Sequence, residues 1–551
     1  MQKVLTAAQM REVDRLTTEK YGIPSIILME NAAHAVARVI TEKLGGSVEG
    51  KSIVILCGKG NNGGDGAALA RILGLQRAFV DVLLFGKIKD TNGDARVNFG
   101  VLCREDFEFD DVYFSNFGQL REVNSKEEWV QFYLDSGQFA DVIVDSVFGT
   151  GLTRPLEIWL YNILHDLNFV SEGPHPKPRL CVSVDMPSGL NADTGEQLGE
   201  PVRADVTVTF TTPKPANVLP NAAGFNGELF VADIGSPERI VEAQPSQLFL
   251  TQLEDVEEWI KATRFTDDSY KNKRGHAVLI AGSEDYSGAA VLAGNSAMRS
   301  GVGLVTLAAP KESKAEIASR LLPDVILKTI ESPDIVDKAN AIAIGCGLSA
   351  TDPEIEKLVR EVVATRQVPV IIDAGALWFY SPMQKPAREQ GRNTQLPNPQ
   401  AFALKPALIF TPHEGEFLRL LGTDDKDAIL DRVAAVRDFA TEHNVILVLK
   451  GERVLIGSPD GRVVVNPTGN SGLGKAGNGD TLTGILAGFV AQANAMEIDV
   501  FETVVSAVYV AGMAGDVAEK KFGKRVMTAS DVRECLVDVF SQFEHQVNLS
   551  E

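Results

Sequence analysis

Cysteine is scarce in this chain: five thiols (Cys57, Cys103, Cys181, Cys346 and Cys535) are scattered over 551 residues, odd in number and without a Cys-x-x-Cys pair. That excludes a disulfide framework and a zinc cage, and it fits the reducing cytoplasm. Basic residues are in deficit, 53 Lys and Arg against 74 Asp and Glu, for a formal net charge of -21 at pH 7. Such a field repels polyanions, so neither nucleic acid nor an anionic membrane surface is an expected partner. Long apolar runs are also missing. The charged N-terminus MQKVLTAAQMREVDRLTTEKYG has no apolar core, and no later stretch reaches the roughly 18 uninterrupted apolar residues of a membrane span. A soluble, unexported protein is expected.

What the chain does have is the composition of a globular protein, 44% hydrophobic and 23% charged. At about 150 residues per domain its length suggests two to four domains. Thr6 can cap an opening helix through Met10, Val13 and Leu16, and apolar residues recur at helical spacing from Ile26 to Ile40. Short buried-type strands then follow at Ser52–Leu56, Val80–Phe85, Asp141–Asp145, Leu180–Asp185 and Asp205–Phe210, with a helix predicted over Ala67–Leu75. Continuous apolar strands separated by helices imply a mostly parallel sheet covered on both faces. The segments Asp106–Glu128 and Ser171–Pro178 read as surface insertions. A polar stretch, Glu238–Asp268, shows few strand signals and contains a candidate linker, Glu242–Ser246. The pattern restarts with strands at His276–Ala281, Leu304–Ala308, Ala341–Ile344, Val368–Asp373, Leu408–Thr411 and Val445–Lys450. Helices are predicted at Gly288–Ser300, Asp352–Thr365 and Asp427–His443, a hairpin turns at Ser458–Gly461, and Gln384–Gln400 reads as a loop insertion. The expected division is residues 1–241, a linker region 242–268, and residues 269–551, each large part a three-layer α/β/α domain.

Chemistry-bearing residues cluster where strands end. Gly58-Lys-Gly-Asn-Asn-Gly-Gly-Asp-Gly66 follows a strand, and its amides could hold a phosphate, although its spacing matches neither the dinucleotide fingerprint nor the Walker loop. Residues alone leave ligand binding and a tight turn both open there. Asp145-Ser-Val-Phe-Gly-Thr-Gly151 and Asp185-Met-Pro-Ser-Gly189 end two further strands, so three loops could converge on one crevice. Asn62, Asp145 and Ser188 form an oxygen-only set suited to a hard cation. Asp185 is either a proton-transfer residue or the cap of the following turn. In the second half, Asn466–Asp480 is a glycine-rich loop running into a helix, an anion hole with Asp480 in the first helical turn as base or dipole partner. Lys450-Gly451 and His413 stand at other strand ends; His413 reads equally as functional or structural. Cys57 and Cys346 read as small buried hydrophobes, and Trp259 and Trp378 as filler.

The ordered motifs GKGNNGGDG, DSVFGTGL and DMPSGL closely resemble the NAD(P)H-hydrate epimerase domain, which implies a Rossmann-like fold. GHAVLIAGSEDYSGAAVLAGNSAMRSGVGLV, GCGLS, IIDAGAL, TPHEGEF, KGERVLI and GLGKAGNGDTLTGILAGF are similar to the ADP-dependent NAD(P)H-hydrate dehydratase, a ribokinase-like fold. Together they follow the order of the bifunctional family that repairs hydrated NADH and NADPH. The resemblance implies that Asn61, Asn62, Gly63, Gly64 and Asp65 bind the hydrated dinucleotide together with Gly149, Thr150, Gly151, Leu152, Thr153, Arg154 and Pro155, with Asp185 beside its nicotinamide. It implies potassium on Asn62, Asp145 and Ser188. In the second half it implies substrate contacts at Gly303, Gly347, His413 and Asp480, with Asp480 as base. The ADP site it implies comprises Lys450, Gly451, Glu452, Arg453 and Val454 together with Asn470, Ser471, Gly472, Leu473, Gly474, Lys475, Ala476, Gly477, Asn478 and Gly479, with magnesium on the nucleotide and Lys475 as a further phosphate contact. A homo-oligomer is the expected assembly. Two positions depart from the family pattern: Gly375 stands where a second acid is usual, and Cys346 where Pro is usual. The competing expectation is a ribokinase-like small-molecule kinase fused to a non-catalytic dinucleotide-binding domain.

Overall fold

The computed structural model describes all residues except 103–116, 136–139, 173–179, 331–332, 384–405 and 551. Two compact units emerge, Lys3–Ser246 and Gln247–Glu551, with Met1–Gln2 joining the second. The break falls at the end of the Glu242–Ser246 segment. Residues beyond it are not a linker: Leu248–Leu250 is a strand and Leu253–Ala262 a helix of the second unit. The helix buries Val256 and Trp259, and the Trp259 ring stacks on Phe489 with centroids 4.1 Å apart. Glu254, Asp255, Glu257 and Glu258, on the outer side of this helix, make the segment look polar throughout in sequence.

In the first unit seven parallel strands lie in the order Phe117–Val123, Phe79–Phe85, Ser52–Cys57, Val142–Ser146, Leu180–Val184, Val206–Phe210 and Glu228–Ala232. The period-2 alternation of a strand sorts its side chains onto two faces. Ile53, Ile55, Val142 and Val144 pack with the Ser25–Lys43 and Asn61–Leu75 helices, whereas Val54, Leu56 and Ile143 pack with Trp129, Phe132, Ile163 and Leu164. Both faces are therefore buried, as the continuous apolar runs required. The expected insertion at Asp106–Glu128 contains an edge strand in its described part, and strand Glu228–Ala232 adds the other edge. Apart from Ser171 and Glu172 at a helix end, the Ser171–Pro178 and Gln384–Gln400 insertions lie outside the described residues.

In the second unit ten strands lie side by side in the order Leu248–Leu250, Val463–Val465, Leu455–Gly457, Ile446–Leu449, Leu408–Phe410, Val370–Ile372, Ala341–Ile344, His276–Ile280, Leu304–Ala309 and Ile326–Thr329. From Ile446–Leu449 to Ile326–Thr329 the pairing is parallel, and the expected hairpin is antiparallel. The helix Val500–Phe522 is long and apolar enough to cross a membrane. Here Val504, Val508, Ala511 and Ala518 pack it into the core of the unit instead.

Candidate functional site

Parallel strands carry their loops out at one edge, and in the first unit four neighbouring strands deliver polar residues to that edge. The Asn61–Leu75 helix begins six residues earlier than expected, so Asn61 to Gly66 form its first turns rather than an open loop. Its glycines answer to packing as well as to a ligand: a Cβ on Gly63 would lie 1.8 Å from the Gly58 carbonyl oxygen. Asn62 is left with a buried amide whose Oδ1 and Nδ2 have no hydrogen-bond partner. Asp145, wholly buried, accepts from Ser188 Oγ at 2.5 Å, Ser188 N at 2.8 Å and Ser183 Oγ at 3.0 Å. Burial raises its pKa while the Ser188 and Ser183 bonds oppose that shift. Of the Gly149–Pro155 segment, Leu152 is buried, and Gly151, Thr153, Arg154 and Pro155 are exposed. Gly149 is the critical member. A Cβ there would stand 3.2 Å from Asn62 Oδ1 and 3.2 Å from Asp185 Oδ2.

Asp185 adopts φ +67°, a conformation that costs a non-glycine residue free energy and that functional sites often retain. Its side chain does not cap the next turn. Oδ1 accepts from Lys214 Nζ at 2.6 Å and Thr209 Oγ1 at 3.1 Å, while Oδ2 faces Gly149. Lys214 was not legible as a site residue in the sequence. Asp65 is pushed well above the ordinary carboxylate range by burial and by the charges of Asp185 and Asp14, and Asp14 rises to about 6, mostly by desolvation.

In the second unit the helix Asn478–Ala495 opens at Gly477, φ +91°, with no side-chain cap; Asn478 N donates to the Lys475 carbonyl at 3.4 Å, and the Gly479 and Asp480 amides follow at the end of the glycine-rich loop. Asp480 lies in that first turn and is raised to about 6 by burial and by nearby Asp373, with the Cys346 thiol hydrogen bond and Lys450 pulling the other way. Asp373 ends strand Val370–Ile372; it accepts from Lys450 Nζ at 2.7 Å and Thr483 Oγ1 at 2.7 Å. Burial pushes Asp373 up, but the Lys450 charge and these bonds hold it below its usual value. Cys346 is indeed buried, its thiol pushed up by burial, and it also stands 3.9 Å from Asp373 Oδ2. Neither Asp373 nor the thiol contact was foreseen.

His413 caps the Glu414–Leu421 helix, accepting at Nδ1 from Gly415 N at 3.0 Å and Glu416 N at 3.3 Å, and its 55%-exposed side chain keeps Nε2 near Glu416. It pairs through a backbone bridge with Lys450, so the two strand ends meet. Gly347, Lys450 and Asp480 belong to the same edge. Gly303 does not: it precedes strand Leu304–Ala309, at the opposite end of the sheet, near Lys271 and Arg274. Arg274 in turn reaches Gln492, 12 residues along the helix from Asp480, or about 18 Å at 1.5 Å per residue. Lys450 turns inward to Asp373 and 3.8 Å from Glu416, and within the 450–454 segment Arg453 Nη1 donates to the Pro467 carbonyl. Lys475 is committed elsewhere too, donating to the carbonyls of Lys524, Arg525 and Met527 at 2.7–2.9 Å, so its ammonium ties down the glycine loop. Asn470 anchors the loop's other end to Gly515 and Asp516. At Gly375 a Cβ would meet the Leu348 carbonyl oxygen at 2.3 Å, so this backbone has no room for the missing acid.

The family model described as NAD(P)H-hydrate dehydratase matches residues 277–537, and the one described as YjeF-related protein N-terminus matches residues 25–216. The chain is 35% identical to the bifunctional NAD(P)H-hydrate repair enzyme of Moorella thermoacetica, covering 99% of this chain and 98% of the relative. The corresponding enzyme of Pyrobaculum aerophilum is 32% identical, with 98% of each chain covered. A crystal structure of the ADP/ATP-dependent NAD(P)H-hydrate dehydratase from Bacillus subtilis, co-crystallised with ATP/Mg2+, is 31% identical over 52% of this chain and 97% of that one, with a TM-score of 0.43. A kinase fused to an unrelated binding domain would not be matched across both units by single relatives. Matched from end to end at this identity, the chain belongs to the bifunctional NAD(P)H-hydrate repair enzyme family.

Proposed function

We propose that the first unit interconverts the R and S epimers of hydrated NADH and NADPH at the hydroxyl-bearing C6, and that the second dehydrates the S epimer at the expense of ADP. The observation that carries this reading is the pair of acids, Asp185 and Asp480, each at the loop edge of the parallel strands of its own sheet, within a chain of this family. Asp480, with a pKa of about 6, is ionised at neutral pH and suited to take a proton from a hydroxyl. The C6 oxygen then attacks the terminal phosphorus of ADP, the bond to the bridging oxygen breaks and AMP leaves. The uncapped N-terminus of the helix opening at Gly477, with the Gly479 and Asp480 amides in its first turn, would stabilise the charge that develops. The C6–O bond next breaks, phosphate departs with the electron pair, C5 gives up a proton, and the C5=C6 double bond of NAD(P)H is restored.

Among the described residues no group of three His, Cys, Asp or Glu is arranged for a metal, so magnesium would arrive on the nucleotide phosphates and supply neutralising charge there. Potassium fits the first unit. Asn62 offers a buried oxygen without a hydrogen-bond partner, and Asp145 and Ser188 complete an all-oxygen set. The nucleotide's own charge, on a chain of -21, must be met locally, by amides, the helix N-terminus and these cations.

The test mixes the full chain with each epimer separately, ADP and magnesium, and follows near-UV absorbance of dihydronicotinamide beside AMP and phosphate release. One AMP and one phosphate per NAD(P)H regenerated is expected from either epimer. A stable phosphorylated product without absorbance recovery would instead establish a kinase.

A further inference from the structure

We infer that Lys214 is a positioning residue of the epimerisation site, holding one oxygen of Asp185 so that the other is presented to the reacting carbon; this deepens the proposed function and rests on it. A lysine whose side chain is 2% exposed is costly to bury as a cation unless every proton finds a partner. Lys214 spends all three: Asp185 Oδ1 at 2.6 Å, Thr209 Oγ1 at 3.0 Å and the Phe210 carbonyl at 3.1 Å. The carboxylate is thereby fixed in rotation. Oδ1 is occupied, and Oδ2 is the oxygen that points to the space beside Gly149.

The pair is itself held from behind. Asn217 Oδ1 accepts from Lys214 N at 2.8 Å, and Asn217 Nδ2 donates to the Asp185 carbonyl at 3.3 Å and to Asn226 Oδ1 at 3.0 Å. Asn226 donates in turn to the carbonyls of Ala216 and Ala222. Such a buried chain fixes the ammonium against the strained Asp185 backbone, whereas stability alone would be served as well by an apolar pair of the same volume. Charge points the same way. Asp14 from the Ala7–Tyr21 helix and Asp65 from the Asn61–Leu75 helix act electrostatically on Asp185 and Lys214. Lys214 is the cation that these acids share, and it bonds directly to the one that faces Gly149.

The experiment uses the full chain carrying Lys214→Ala, Lys214→Arg or Thr209→Val, and measures R-epimer conversion through the absorbance that the second unit regenerates. S-epimer recovery in the same samples reports on that second unit. Lys214→Ala should lower kcat for the R epimer about 100-fold with KM within about threefold, because binding groups stay while the carboxylate loses its orientation. Lys214→Arg should fall between Ala and wild type. Added ethylamine, entering the vacated space as a cation, should restore Lys214→Ala at least about tenfold and leave Asp185→Asn unchanged. Thr209→Val should cost about fivefold in kcat and decides the matter if Lys214→Ala unfolds the first unit. Wild-type kcat in Lys214→Ala or Thr209→Val, or a loss expressed only in KM and unrelieved by amine, would overturn the inference. If unmutated protein fails to convert the R epimer faster than it converts spontaneously, the epimerase reading itself falls, and this inference with it.

Discussion

Both units set a buried lysine against a carboxylate at nearly the same distance, 2.6 Å for Lys214–Asp185 and 2.7 Å for Lys450–Asp373, yet the partner differs in kind. In the first unit the partner is the candidate catalytic acid. In the second it is a neighbour, and Asp480 is left with a thiol for a hydrogen-bond donor and another carboxylate close by, which with burial lifts it to about 6. A lysine bonded to the reactive acid fixes its orientation; a lysine bonded to the neighbouring acid leaves Asp480 at about 6, placed to accept a proton. One device thus serves two tasks.

The sharpest way to separate the halves is to neutralise each acid. Asp480→Asn should reduce recovery of NAD(P)H from either epimer by about a thousandfold or more, since proton removal and the site's electrostatics both fail. Asp185→Asn should leave S-epimer recovery intact and the R epimer stranded at its spontaneous rate; both outcomes are read by near-UV absorbance on separated epimers. If Asp185→Asn repaired both epimers at wild-type rate, the two acids would not divide the labour.

Breaking the second lysine pair tests whether it is structural support. Lys450→Met should destabilise the second unit by about 3–5 kcal/mol in denaturant titration, because Asp373, 2% exposed, would keep a buried charge without its cation. The sign with pH follows from the lowered carboxylate. The wild-type contribution is complete above the unfolded value of 3.8 and is lost as pH falls through the lower folded value. In the variant burial acts on Asp373 without its cation, so this acid-side loss should disappear and the stability gap from wild type should narrow as pH falls and the carboxylate takes up a proton.

The smallest effect concerns the thiol. The wild-type dehydration rate should rise through about pH 6 as Asp480 ionises, and Cys346→Ala should move that acid limb upward, because the thiol bond favours the ionised form. At pH 6 the variant should run a few-fold slower, and at pH 8 about as fast as wild type. An unmoved limb would mean that the thiol does not tune the acid.

Most strands were legible because an alternating or continuous apolar run is a local signal, and the site motifs were legible because their order is specific. Misreadings came where tertiary packing overrides local preference. Asn61 to Gly66 look like loop by propensity, but Gly63 and its neighbours are small so that a helix can start hard against the strand ends. Leu248–Leu250 is too short to stand out from its polar surroundings, and it exists because Val463–Val465 pairs with it 215 residues later. Lys214, between two prolines in a polar segment, reads as surface; only the fold brings it to Asp185, 29 residues away. Gly303 lies next to a strand as expected, but sequence does not say which end of the sheet that strand presents, and the fold sends it away from Asp480. Gly375 is explained by the Leu348 carbonyl, a contact without any sequence signature.

Gly149 carries a consequence for how the first unit can vary. A methyl group at this position would stand 3.2 Å from both the Asn62 amide oxygen and Asp185 Oδ2, crowding the two groups between which the reacting carbon would have to sit. A deep mutational scan scored on R-epimer repair would find this loop position less forgiving than much of the hydrophobic core, while a scan scored on folding alone would pass it by.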